Sequence, residues 1–96
     1  MQTYMIERDI PGVGAMNDNE LCGAAATSNA ALADLSPSIQ WQHSYVAGEK
    51  TFCVYLAEDE RAIHEHARKS GFPATKVTLI SGRIDPTTGA GQNSNN

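Results

Sequence analysis

Three histidines, one glutamate and one cysteine carry the chemistry this sequence could perform. His43 stands in Trp41-Gln-His-Ser-Tyr-Val46. Strict alternation over that stretch sets Ile39, Trp41, His43 and Tyr45 on one side of a strand. Pairing Val46 with Thr51 across a turn adds Phe52, Val54 and Leu56 to the side of His43 and turns Cys53 and Tyr55 the other way. An imidazole among rings and aliphatic carbon favours its neutral form, which donates to a metal or accepts a proton. The plainer reading is a buried histidine satisfied by a hydroxyl or a carbonyl. His43 and Cys53 share no ion unless a bulge breaks the alternation.

His64 and His66 form a His-x-His on a helical pattern. Two positions turn a helix by roughly 200°, so the two rings diverge. His66 falls on the line of Ala62, Ile63 and Ala67, as packing or as a site residue, and His64 falls with Glu60 and Arg68 toward solvent. Glu7 and Arg8 lie late in the first strand, where a charge needs a partner or an opening. An ion pair at the rim answers that need, and so does ligation or proton transfer by Glu7. Ser28 and Asn29 lie at or beside a helix packing line, able to hydrogen-bond His43 and fix its tautomer or to bond within the helix. Cys22 and Cys53 form no Cys-x-x-Cys pair, which removes thioredoxin-like chemistry and a zinc knuckle and leaves reduced, buried thiols as the simplest state.

The elements that position these groups follow in order. Tyr4–Ile10 reads as a strand, ended by Pro11-Gly12. Asn17 and Glu20 have the spacing of a reciprocal helix cap. Asp18–Leu35 follows, an alanine-rich helix with Leu21, Ala25, Ser28, Leu32 and Leu35 on one line, stopped by Ser36-Pro37-Ser38. Ile39–Val46 and Thr51–Leu56 form a hairpin over Ala47-Gly48-Glu49-Lys50. Glu58-Asp59-Glu60 opens a second helix that runs to about Ser70 and is capped by Gly71. Lys76–Asp85 gives the last strand, and residues 89–96 a polar, disordered tail. The order β-α-β-β-α-β predicts a ferredoxin-like α+β fold over residues 1–88, a four-stranded antiparallel sheet with two helices on one face. The other face stays open, which predicts a homodimer.

Composition bounds the partners. The chain has 96 residues and a formal charge of −4, enough for one small domain. The aromatic spacing of Lys50–Tyr55 has a faint likeness to RNA-recognition strands, but acidic balance and sparse Lys and Arg argue against nucleic acid. No apolar run nears the ~20 residues that span a bilayer, and no secretion signal is visible at the N-terminus, which predicts a cytoplasmic protein.

Several strings occur in one order: Ser28-Asn29, Trp41-Gln-His-Ser-Tyr-Val46, Thr51-Phe-Cys-Val-Tyr55, His64-Glu-His-Ala-Arg68, Gly71-Phe-Pro-Ala74 and Ile84-Asp-Pro-Thr87. Together they resemble the small bacterial nickel-binding proteins first grouped as a domain of unknown function, from about Ile6 to Thr88. The chain departs from that pattern at Leu56, where an acid is common, and at Cys22, where a charged residue is. The resemblance implies a dimeric α+β barrel that binds nickel or a similar divalent ion. Nickel accepts imidazole nitrogen and carboxylate oxygen, which makes His43 the leading donor and Glu7 and His66 the next. Tyr45, Trp41, Ser28, Asn29 and Cys53 would then shape the pocket. Two other functions fit the same residues. One is a cofactor-light enzyme of monooxygenase or isomerase type, with His43 as general base between Tyr45 and Trp41. The other is a small-molecule-binding module without chemistry.

Overall fold

The computed structural model describes residues 1–35 and 38–90. Strand β1 (Gln2–Asp9) leads through a single 3₁₀ turn (Val13–Ala15) to helix α1 (Asp18–Leu35). Strands β2 (Ile39–Ala47) and β3 (Lys50–Ala57) follow, then helix α2 (Glu60–Ser70), strand β4 (Lys76–Ile80) and a one-turn helix α3 (Pro86–Gly89). The sheet order is β2-β3-β1-β4, all neighbours antiparallel. This is the ferredoxin-like arrangement, with α1 and α2 on one face.

Local chemistry sets the ends of these elements. Asn17 N–H donates to Glu20 Oε1 at 3.0 Å and Glu20 N–H donates to Asn17 Oδ1 at 2.8 Å, which closes the reciprocal cap of α1. Asp59 caps α2 by accepting from the Ala62 amide, and Gly71 ends it in the left-handed region at φ 80°. Ser38 donates from both its amide and its hydroxyl to the Leu35 carbonyl past the end of α1. Ser36 and Pro37 lie outside the described residues, as do residues 91–96 of the expected tail.

Alternation along β1 buries Tyr4, Ile6 and Arg8 under the helices and sends Thr3, Met5 and Glu7 to the open face. Along β3, Thr51, Cys53, Tyr55 and Ala57 are buried, while Phe52, Val54 and Leu56 lie half-buried on the open face. Tyr4, Ile6, Ile39, Cys53, Tyr55, Ala57 and Ile63 make up the core, flanked by Leu32, Leu35 and Trp41. Each fully buried isoleucine contributes about 1.5–3 kcal/mol.

Three expectations need correction. The last strand ends at Ile80, not Asp85; Ser81-Gly82 leaves the sheet, and Asp85 instead caps α3 by accepting from the Thr87 and Thr88 amides. The chain from Gly89 is therefore not tail from its first residue, since Gly89 closes α3. In β2 the alternation also breaks. The register shifts between Trp41 and His43, where Trp41 faces Tyr55 and His43 faces Val54. Gln42 is the extra residue of a β-bulge. Ile39 and Trp41 therefore lie on the helix side, whereas His43 and Tyr45 lie on the open side.

Candidate functional site

The bulge at Gln42 divides the chemically able residues between two chambers. On the open face, His43 is exposed and meets Tyr45 edge-on, with ring centroids 5.2 Å apart at 80°. Thr3, Met5, Val54, Leu56 and Ile80 form the floor of a groove of about 810 Å³ that Ser81, Gly82 and Arg83 border. Glu7 sits half-buried on the same face, opposite Phe52 in β3. Two strand spacings and two residues of offset separate its Cα from that of His43, about 12 Å.

Several sequence expectations change here. His43 is exposed rather than enclosed. Trp41 does not help to shape its surroundings, because the bulge sends the indole through to the helix side. There it stacks on Tyr55 at 6.5 Å, and its Nε1–H donates to Ser44 Oγ at 2.9 Å. Cys53 is buried on the helix side, away from His43 as the register required, whereas Cys22 is exposed on α1 rather than buried. Ser28 is buried against His66, not His43, and Asn29 is exposed. His64 lies in solvent 3.1 Å from Glu60.

The second chamber lies between the helices and the sheet. Its centre is a buried polar cluster of Arg8, Ser28, Tyr55 and His66. Ser28 Oγ is 3.2 Å from His66 Nε2, and the buried His66 Nδ1 has no hydrogen-bond partner. Burial pushes the His66 imidazole below its ordinary range, the nearby Arg8 charge pushes it further, and the Ser28 backbone opposes both. The ring is therefore neutral at pH 7. Burial likewise raises the Tyr55 phenol, against the pull of the Ser28 hydroxyl and the Arg8 charge.

Arg8 is 3% exposed. Its Nη1 donates to the carbonyls of Phe72 at 3.2 Å and Pro73 at 2.8 Å, while its guanidinium carbon lies 5.8 Å from the Tyr55 ring centroid. Its Nη2 is buried without a hydrogen-bond partner, and among the described residues no carboxylate forms an ion pair with it. The rim ion pair that the sequence suggested is absent from this position. Period-two alternation with Tyr4 and Ile6 was the sequence signal for its burial.

His43 and Glu7 thus share the open face, and His66 lies on the far side of the sheet. Among the described residues no three His, Cys, Asp or Glu side chains gather closely enough to hold a metal ion. A closed single-chain metal centre does not fit this donor set. Nor is any helix among them long and apolar enough to cross a membrane.

An antiparallel sheet carrying both helices on one side and a bare second face defines a ferredoxin-like α+β domain. The chain belongs to the family described as nickel responsive protein SCO4226-like, whose model matches residues 4–80. Its structure is similar to the crystal structure of SCO4226 from Streptomyces coelicolor A3(2), with a TM-score of 0.70 at 14% identity, covering 85% of this chain and 99% of that one. That likeness establishes the fold. No curated protein matches the chain in sequence.

Proposed function

We propose that this chain acts as a homodimer joined through its open sheet face and takes a divalent transition metal, nickel first, at the subunit boundary. His43 is the principal protein donor. The observation that carries this reading is an exposed imidazole on a bare, largely apolar sheet face, in a chain whose family is described as nickel responsive. Met5, Phe52, Val54, Leu56 and Ile80 leave that face half-covered, and Tyr45 is 60% exposed beside His43. A second copy of the chain covers this surface at low cost, because both partners are already apolar there.

The donor count argues for sharing. One chain offers His43, with Glu7 two strands away, which is too few for a closed site. Two chains related by a two-fold axis offer two imidazoles and two carboxylates, with water filling the remaining positions that nickel accepts. Metal binding and dimerisation are then thermodynamically linked. Catalysis is no part of this reading.

Calorimetric titration with nickel, zinc and cobalt, alongside sedimentation with and without metal, tests it. Wild type should bind nickel and shift toward dimer as it does, and His43→Ala should lose the binding. Equal nickel affinity in wild type and His43→Ala, or a monomer at all concentrations, refutes the reading.

A further inference from the structure

The chamber under the helices holds a cavity of about 210 Å³, walled by apolar side chains of α1, the 3₁₀ turn and β2. Arg8, Ser28 and Tyr55 all line it. No acidic residue lines it, and Arg8 has no carboxylate partner elsewhere among the described residues. An arginine carries its charge at any physiological pH. A buried charge is costly unless paired and hydrogen-bonded. Here two backbone carbonyls and one aromatic face compensate Nη1 and the guanidinium plane, and Nη2 stays without a partner.

From these features we infer that the cavity binds a small carboxylic acid with an apolar body, its carboxylate paired with Arg8 and its body against Trp41. Charge complementarity selects the anion, because the lining presents a cation and hydroxyl groups among mostly apolar side chains and no acid. Carboxylate is the natural partner of a guanidinium, which offers it parallel N–H donors. Ser28 adds a further donor. With the His66 proton on Nε2, the ring donates to Ser28 Oγ and leaves the hydroxyl hydrogen to turn toward the cavity. Size selects the body. A cavity of about 150 Å³ takes benzene, so this one accommodates an aryl ring with a short acid arm. The site is separate from the open face, and the inference does not depend on metal binding or on the dimer.

The test uses the full chain, freed of metal with a chelator, and three probes: phenylacetate, 2-phenylethanol and phenylacetamide. Trp41 is the single tryptophan and lines the cavity, so its fluorescence reports occupancy, and calorimetry gives the affinities. Phenylacetate should bind about tenfold or more tighter than the neutral analogues, with perturbed signals at the Arg8 side chain and the Trp41 indole in NMR spectra. Arg8→Met should abolish that preference and leave the neutral analogues bound as in wild type. Equal affinity for acid and neutral analogues in wild type overturns the inference, as does no binding at millimolar concentration, or perturbation confined to His43 and Tyr45. Should Arg8→Met fail to fold, the wild-type preference and the NMR map still decide.

Discussion

Ser28 Oγ and His66 Nε2 lie 3.2 Å apart and join α1 to α2 through a polar contact buried on both sides. Two helices that approach closely along an alanine-rich line offer little apolar surface to grip. A buried hydrogen bond fixes their relative rotation instead, and places Ser28 at the wall of the Arg8 cavity.

Ser28→Ala should therefore destabilise the fold by about 1–3 kcal/mol, because it strands a second nitrogen of a ring whose Nδ1 is already unpartnered. Urea unfolding of Ser28→Ala, His66→Phe and the double variant measures the coupling. In the His66→Phe background the Ser28→Ala cost should fall, since no imidazole remains to be stranded.

The depressed affinity of His66 for a proton makes stability depend on pH. Above the ordinary histidine value of 6.5 the ring is neutral in folded and unfolded chains alike, and the full stability is present. As pH falls below 6.5 the unfolded chain takes the proton first, and the folded state loses ground until the folded ring also protonates. Unfolding free energy should thus drop as the pH falls through 6.5. His66→Phe should flatten that slope. The lowered carboxyl groups of Glu65, beside Arg68, and Asp85, bonded to Thr87, act in a more acidic range. An equal slope in wild type and His66→Phe would refute the assignment.

Two glycines should respond oppositely to alanine. A Cβ on Gly14 would sit 2.5 Å from the backbone oxygen of Gly48, the same oxygen that accepts the Gly14 amide at 2.8 Å. Gly14→Ala must push the 3₁₀ turn off the hairpin, at a cost of about 1–3 kcal/mol. Gly23 lies inside α1 with open space around it, so Gly23→Ala should stabilise by up to about 1 kcal/mol. Thermal unfolding of both variants checks the contrast.

The open face gives a further prediction. Tyr45→Glu places a charge beside His43 on the surface assigned to dimer contact. Sedimentation should show a monomer where wild type dimerises, with the thermal midpoint of the isolated chain nearly unchanged, because Tyr45 is already 60% exposed. A dimer of undiminished strength would count against that face as the interface.

Much of this architecture is legible in the chain because the decisive signals are local. Asn17 and Glu20 announce α1, Gly48 turns the hairpin at φ 62°, and Gly71 stops α2. Each depends on residues within a few positions. The candidate sites were harder to read because they depend on partners far along the chain. Nothing in Trp41-Gln-His marks Gln42 as a bulge, since that follows from how β2 must pair with β3. Ser28 sits 38 positions from His66, so its partner could not be told apart from His43. The charge on Arg8 suggested an acid at the rim, and only the fold shows carbonyls of Phe72 and Pro73 in its place.

The extra residue at Gln42 has a consequence for how this chain can vary. Downstream of it, His43 and Tyr45 lie on the open face while Ser44 and Val46 turn to the helix side; upstream, Ile39 and Trp41 lie on the helix side as well. Deleting that residue would restore a regular ribbon and keep every flanking side chain on its present face, because Trp41 and His43 already oppose consecutive residues of β3. A chain lacking this one residue should accordingly present the same side chains on both faces and lose only the local bend and added twist of the strand.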